Sequence, residues 1–134
     1  MTDAEQLLDK AFVLADLPVL RSLLCDCAIV AGMAQDQREE FVLAAHELLA
    51  NAAQHGGGGG QVLVEHASGE LRCQVRDRGP GMTAGCQDGS GLRIVRGLVD
   101  RFDIGDAGPG ADITMTMMVR PAAPGRVPGA EGRC

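Results

Sequence analysis

The hydrophobic pattern changes its period across a run of five glycines, Gly56 to Gly60, and that change excludes both an all-helical and an all-strand fold. Before the run, Phe41, Ala45, Leu48 and Ala52 recur at helical spacing on one face, and Val42 and Leu49 widen it. After it, Val62 and Val64 alternate with Leu63 and Glu65, and Leu71, Cys73 and Val75 alternate with Arg72, Gln74 and Arg76. Alternation of this kind describes a hairpin with one buried face, turning at Ala67-Ser68-Gly69-Glu70. By composition, the glycine run itself reads as a flexible connection.

The flanking segments extend the pattern. Residues 1–15 mix charges with Leu7, Leu8, Phe12 and Leu14 and fit a short helix or a first strand equally well. A helix is expected from Pro18 to Gly32, with Pro18 suited to its first turn and Gly32 to its end. The glycine-bounded helix has Asp36 as candidate N-cap and Glu39 three residues on, as in a capping box. Another helix is expected from Ser90 to Asp100, with Leu92, Val95, Leu98 and Val99 as its apolar face. A second hairpin joins 102–106 to 112–119 about Gly108-Pro109-Gly110. The order helices, hairpin, helix, hairpin predicts an α+β two-layer sandwich, a mixed or antiparallel sheet covered on one face by helices. Residues 1–119 form the expected domain, and 120–134, rich in Pro, Gly and Ala, a disordered tail.

Composition narrows the function. The formal net charge is −6, and no basic stripe invites nucleic acid or an anionic membrane. Lys10 is the only lysine, which excludes a P-loop. The cysteines (Cys25, Cys27, Cys73, Cys86 and Cys134) contain no C-x-x-C pair, so reduced thiols are expected rather than a disulfide framework or a zinc site. The acidic, polar start Met-Thr-Asp-Ala-Glu is no signal peptide, and no apolar run approaches the ~18 residues that span a bilayer. A cytoplasmic protein is the expectation.

Three groups of residues point to chemistry. Glu47, Asn51 and His55 are spaced by four and form a polar row on the central helix. Asp77 shares the parity of Leu71, Cys73 and Val75, so it faces inward at the end of its strand. An inward carboxylate needs a partner or a ligand, because burying an unpaired charge is costly. An exocyclic amine such as that of adenine suits it, and Gly79 and Gly81 would let backbone approach the base. Finally, Gly89-Ser90-Gly91-Leu92 opens a helix, and a helix N-terminus attracts phosphate. Each feature alone has an ordinary structural explanation. Together, in this order, they describe a nucleotide site.

At these residues the chain resembles the Bergerat-fold (GHKL) ATPase superfamily, and within it the small anti-sigma-factor serine/threonine kinases of bacteria. HELLANAAQHG (46–56) resembles the N-box, VRDRGPGM (75–82) the first glycine box, and GSGLRIVRGLVD (89–100) the second. LADLPVLRSLL (14–24) is similar to the family's lead-in helix. The resemblance implies ATP and Mg²⁺ as ligands. Glu47 would be the general base and Asn51 the Mg²⁺ ligand. Asp77 would hold the adenine amino group, with Gly79, Gly81 and Met82 shaping the base pocket. Gly89, Ser90, Gly91 and Leu92 would meet the phosphates, with His55 nearby. It further implies phosphorylation of a serine on an anti-anti-sigma partner, sequestration of a sigma factor, and a possible homodimer. Where the family's lid is longer and often basic, the loop from Gly81 to Gly91 is short, holds no Lys or Arg, and carries Asp88. Two functions stay open: a kinase, which Glu47 favours, and a non-catalytic or weakly catalytic partner-binding module of the same fold, which the short acidic loop favours.

Overall fold

The computed structural model describes residues 4–55, 58–77, 90–107 and 110–120. Residues 121–134 of the expected tail, Gly56 and Gly57, the loop 78–89 and the turn residues 108–109 lie outside the described residues. The elements run β1 (Glu5–Val13), a 3-10 turn (Leu14–Asp16), α1 (Leu17–Ala31), α2 (Gln35–His55), β2 (Gly59–Ala67), β3 (Glu70–Asp77), α3 (Ser90–Leu98), β4 (Arg101–Ala107) and β5 (Gly110–Met118). The five strands form one antiparallel sheet in the order β1-β2-β3-β5-β4. The α+β sandwich is therefore the architecture, with the sheet antiparallel throughout.

The first segment is a strand. Its ambiguity has a local cause, since a register irregularity between Gln6 and Leu8 leaves Leu7 and Leu8 both half-buried. Such a bulge erases the alternation by which a strand is recognised. The chain then turns into α1, with the Asp16 carboxylate accepting the Val13 N–H at 2.9 Å. Gly32 ends α1 in the left-handed conformation at φ 92°, the usual work of a C-terminal glycine.

The α2 start differs from expectation. The helix begins at Gln35, one residue before Asp36, and the Asp36 carboxylate accepts the N–H of its neighbour Gln37 at 2.9 Å. Asp36 is thus an acidic residue within the first turn, where it complements the helix dipole, and not the N-cap. A second correction concerns the glycine run. Gly59 and Gly60 are strand residues, paired with Val13 and Phe12 on one side, and Gly60 is paired with Asp77 on the other. Side-chain methyl groups there would collide with the carbonyl oxygens of Phe12 and Arg76, respectively. The run includes a close approach of backbones, for which glycine is required. Third, Cys25 is disulfide-bonded, while Cys27 and Cys73 are free and buried.

The core lies between the helices and one face of the sheet. Phe41, Ala45, Leu48, Leu49 and Ala52 of α2 meet Val62, Val64, Leu71, Cys73, Val75, Ile113, Met115 and Met117, all buried. Ser68 (φ 53°) and Gly69 (φ 76°) turn β2 into β3, and two successive positive φ values match the right-handed strand twist. The opposite sheet face is polar and carries ion pairs such as Arg101–Glu70 at 2.7 Å and Arg76–Asp112 at 3.3 Å. Among the described residues no helix is long and apolar enough to cross a membrane.

Candidate nucleotide site

Antiparallel register fixes which ends meet. Asp77 closes β3 opposite Gly60 near the start of β2, and the short step from His55 to Gly59 holds the C-terminus of α2 at that same end. Helix α3 leads into Arg101, which pairs with Thr116 near the end of β5. Its C-terminus therefore lies at the opposite end, and its N-terminus, Ser90, returns to the Asp77 end. The fold so gathers the α2 polar row, the β3 terminus and the α3 N-terminus at one edge of the sandwich.

On α2, Glu47 and Asn51 are half-buried beside fully buried Leu48 and Ala52. Their spacing of four stacks them on successive turns. Asp77 is half-buried at its strand end. Both Asn51 and Asp77 take part in polar interactions within the structure. His55 is the last residue of α2. Ser90 and Gly91 form the first turn of α3, and Leu92 is buried in the core. Leu92 can thus offer a ligand only its backbone N–H. Gly79, Gly81, Met82 and Gly89 lie outside the described residues.

The electrostatics of this edge are mixed by construction. The α2 C-terminus carries partial negative charge, to which Glu47 two turns earlier adds a carboxylate, while the α3 N-terminus carries partial positive charge. A ligand combining a cation with phosphate groups complements both. Among the described residues no three His, Cys, Asp or Glu side chains cluster to hold a metal. A Mg²⁺ ion at Asn51 would take its remaining oxygens from phosphate and water, as Mg²⁺ commonly does.

Sequence reasoning missed Gly60, whose lack of a side chain brings β2 against Asp77 and Arg76. The signal was present: glycine at a strand start often marks a close backbone approach. A cleft of about 410 Å³, lined by Ala11, Phe12, Val13, Asp16 and Gly58 to Gly60, opens beside this junction. It flanks the β1 side and not the space between Asn51 and Asp77. Asp112 points to the polar sheet face, where it accepts from Gln74 at 2.9 Å and Arg76 at 3.3 Å. Buried Arg38 donates from Nη1 to the Met33 carbonyl at 3.3 Å, at the opposite end of α2, and is no phosphate ligand.

The family model of the histidine kinase-like ATPase domain matches residues 12–117. The chain belongs to this family. Among curated proteins, none matches. Among solved structures, the chain is similar to the RsbU and RsbW domains of a Mycobacterium tuberculosis protein, at 25% identity and a TM-score of 0.69, over 86% of this chain. It spans 32% of that longer chain. It also shares its fold with the histidine kinase AdeS of Acinetobacter baumannii, at 15% identity and a TM-score of 0.55, over 87% of this chain and 70% of that one. The fold and family are those of a histidine kinase-like (GHKL) ATPase domain.

Proposed function

We propose that this domain binds Mg-ATP and transfers the γ-phosphoryl group to a serine of an anti-anti-sigma partner, while also sequestering a sigma factor. The observation that carries the reading is the topology, which brings the end of α2, the Asp77 end of β3 and the start of α3 to one edge. Family membership and the likeness to a structure containing an RsbW domain support it.

In this reading, Asp77 accepts the adenine amino group, and Gly79, Gly81 and Met82 shape the base pocket. The amides of Gly89 to Leu92 face the phosphates, where the α3 N-terminus favours negative charge. His55 stands on the phosphate side of α2. Asn51 would hold Mg²⁺, which supplies charge neutralisation between the phosphates. The serine Oγ attacks the γ-phosphorus, the new O–P bond forms as the bond to the β-phosphate oxygen breaks, and ADP leaves. Glu47 takes the hydroxyl proton. A homodimer and a cytoplasmic setting belong to the same proposal. The runner-up is a partner-binding module with little or no transfer, favoured by Asp88 and the absence of Lys and Arg between Gly81 and Gly91.

The test is incubation with Mg-ATP and candidate antagonist proteins, with phosphoserine read by mass spectrometry. Mg-ATP is expected to raise the melting temperature, and Asp77→Asn to reduce that rise. Glu47→Ala is expected to keep the rise and lose transfer. No rise at millimolar nucleotide removes the binding claim, and wild-type transfer by Glu47→Ala removes the base.

A further inference from the structure

Helix α1, LPVLRSLLCDCAIVA, is apolar nearly all round, with Arg21, Ser22 and Asp26 its only polar side chains. A helix of that kind belongs inside a protein, yet this one lies on the outside of the sandwich. Its sheet-facing side buries Leu17, Leu20, Leu24, Cys27, Ala28 and Ala31. Its other side exposes Val19 at 58% and Val30 at 64%, with Leu23 partly buried between them. These three recur at helical spacing, so they form one stripe.

The stripe borders α2. The Cys27 thiol, on the Leu23 side of α1, is buried in the same core cluster as Cys73 of β3, which turns that side toward the centre of the sheet. The helices run antiparallel about the turn at Gly32 to Ala34, and Leu23 and Leu43 are equally distant from it along the chain. Leu43 is itself 46% exposed. The outer seam between α1 and α2 thus carries an apolar row of Val19, Leu23, Leu43 and Val30.

The described charges on the exposed faces of these helices are mostly acidic, with Arg120 held beside Glu40 of α2 at 3.6 Å. Asp26 on α1 and Asp36 and Glu39 on α2 are exposed around the seam. The basic residues of the two helices do not balance them, because Arg38 is buried and Arg21 projects from the opposite flank of α1. We infer that the α1/α2 seam docks a basic amphipathic helix of a protein partner. Its apolar stripe would lie on Val19, Leu23, Leu43 and Val30, and its Lys or Arg side chains would meet Asp26, Asp36 and Glu39. This is a helix-in-groove arrangement, in which apolar anchors supply affinity and complementary charge sets partner and rate. A second copy of this chain would bring acidic rim against acidic rim, a like-charge juxtaposition that disfavours docking. Leu43 stands one turn before Glu47 on α2, so peptide binding is read without nucleotide, and its failure and that of the nucleotide site are read by different measurements.

The experiment titrates the full chain into three labelled peptides of about 18 residues, long enough to cross the seam, and follows anisotropy. One is a Leu/Lys/Arg amphipathic helix, one its scramble, and one an amphipathic helix with Glu for every basic residue. The first is expected to bind about tenfold or more tighter than the others, a difference of about 1.4 kcal/mol. Val30→Ser with Leu43→Ser, and separately Asp26→Lys with Glu39→Lys, are each expected to weaken it about tenfold. All four positions are exposed, so the melting temperature without nucleotide should stay near wild type. Equal binding of the three peptides, or unchanged binding by both variants, overturns the inference. So does light scattering that finds a dimer broken by Val30→Ser with Leu43→Ser, since the occupant is then a second copy. A chain that binds only after removal of 121–134 also overturns it, because the tail is then the occupant.

Discussion

At the scale of single residues, glycine separates packing from flexibility. Gly60 and Gly97 are both glycines in regular elements, but a methyl group at Gly60 meets the backbone of Arg76, while at Gly97 nothing stands within 4 Å. Gly60→Ala is expected to cost about 1–3 kcal/mol, as overpacking does, and to displace the end of β3 that presents Asp77. Gly97→Ala, in helical backbone, is expected to gain about 0.4–1 kcal/mol by restricting the unfolded chain. Chemical denaturation of the two variants checks the contrast, and equal effects would reduce the glycine run to the linker that its composition implies. The polar row fared better from sequence. Glu47 and Asn51 stand on the helix that the spacing placed them on, because a four-residue repeat and its apolar companions are properties of the helix itself. The side chains of His55 and Ser90, and the residues from Arg78 to Gly89, carry no such structural account.

At the scale of elements, the helix that bears the polar row is fastened to the sheet at its far end. Gln37 is 2% exposed, and its side-chain amide donates to the Met118 carbonyl at 2.5 Å and accepts the Arg120 N–H at 2.8 Å. One side chain thereby pairs with the end of β5 as a further strand would. Gln37→Ala leaves two part-exposed backbone groups without that partner, and each lost hydrogen bond costs about 0.5–1.5 kcal/mol net. The expected result is a lower melting temperature and faster amide exchange at the end of β5, with the Mg-ATP response retained. Unchanged exchange there would show that the clamp does not hold the strand. Nothing in the sequence marks Gln37, since its partners lie 81 and 83 residues away. The element boundaries follow the same logic. Helix α3 stops at Leu98, where Asp100 turns back to pair its N–H with the Thr116 carbonyl at 3.0 Å, so tertiary pairing ends the helix before its apolar pattern does.

At the scale of the whole molecule, the two layers meet across buried thiols. Burial, with some help from the Asp26 charge, raises Cys27 from 9.0 to about 11, and burial with the Cys27 charge raises Cys73 to about 12. Below pH 9 both thiols are protonated in the folded and unfolded chains, and their contribution is fully present. From there to pH 11 or 12 the unfolded chain ionises and the fold does not, so stability falls as pH rises and levels off only above the folded values. Within that window each thiol is expected to contribute a slope of up to about 1.4 kcal/mol per pH unit. Urea unfolding at successive alkaline pH values measures it, and Cys27→Ala should make the slope shallower. The same slope in wild type and variant would remove the thiol from the account.

The sequence by itself determined the two periods, the turn at Ser68-Gly69, the alternation along β2 and β3 and the motifs that carry the family. Each of these depends on residues within a few positions of one another, or on a local backbone geometry that one residue type alone satisfies. Only the tertiary structure decided that the first segment is a strand, that the sheet runs β1-β2-β3-β5-β4, and that Cys25 enters a disulfide. It also decided that Gly59 and Gly60 are packed strand and that α1 exposes Val19 and Val30. Those outcomes depend on contacts between segments far apart in the chain, where a pairing is chosen by what the whole core can bury and no local pattern records the choice.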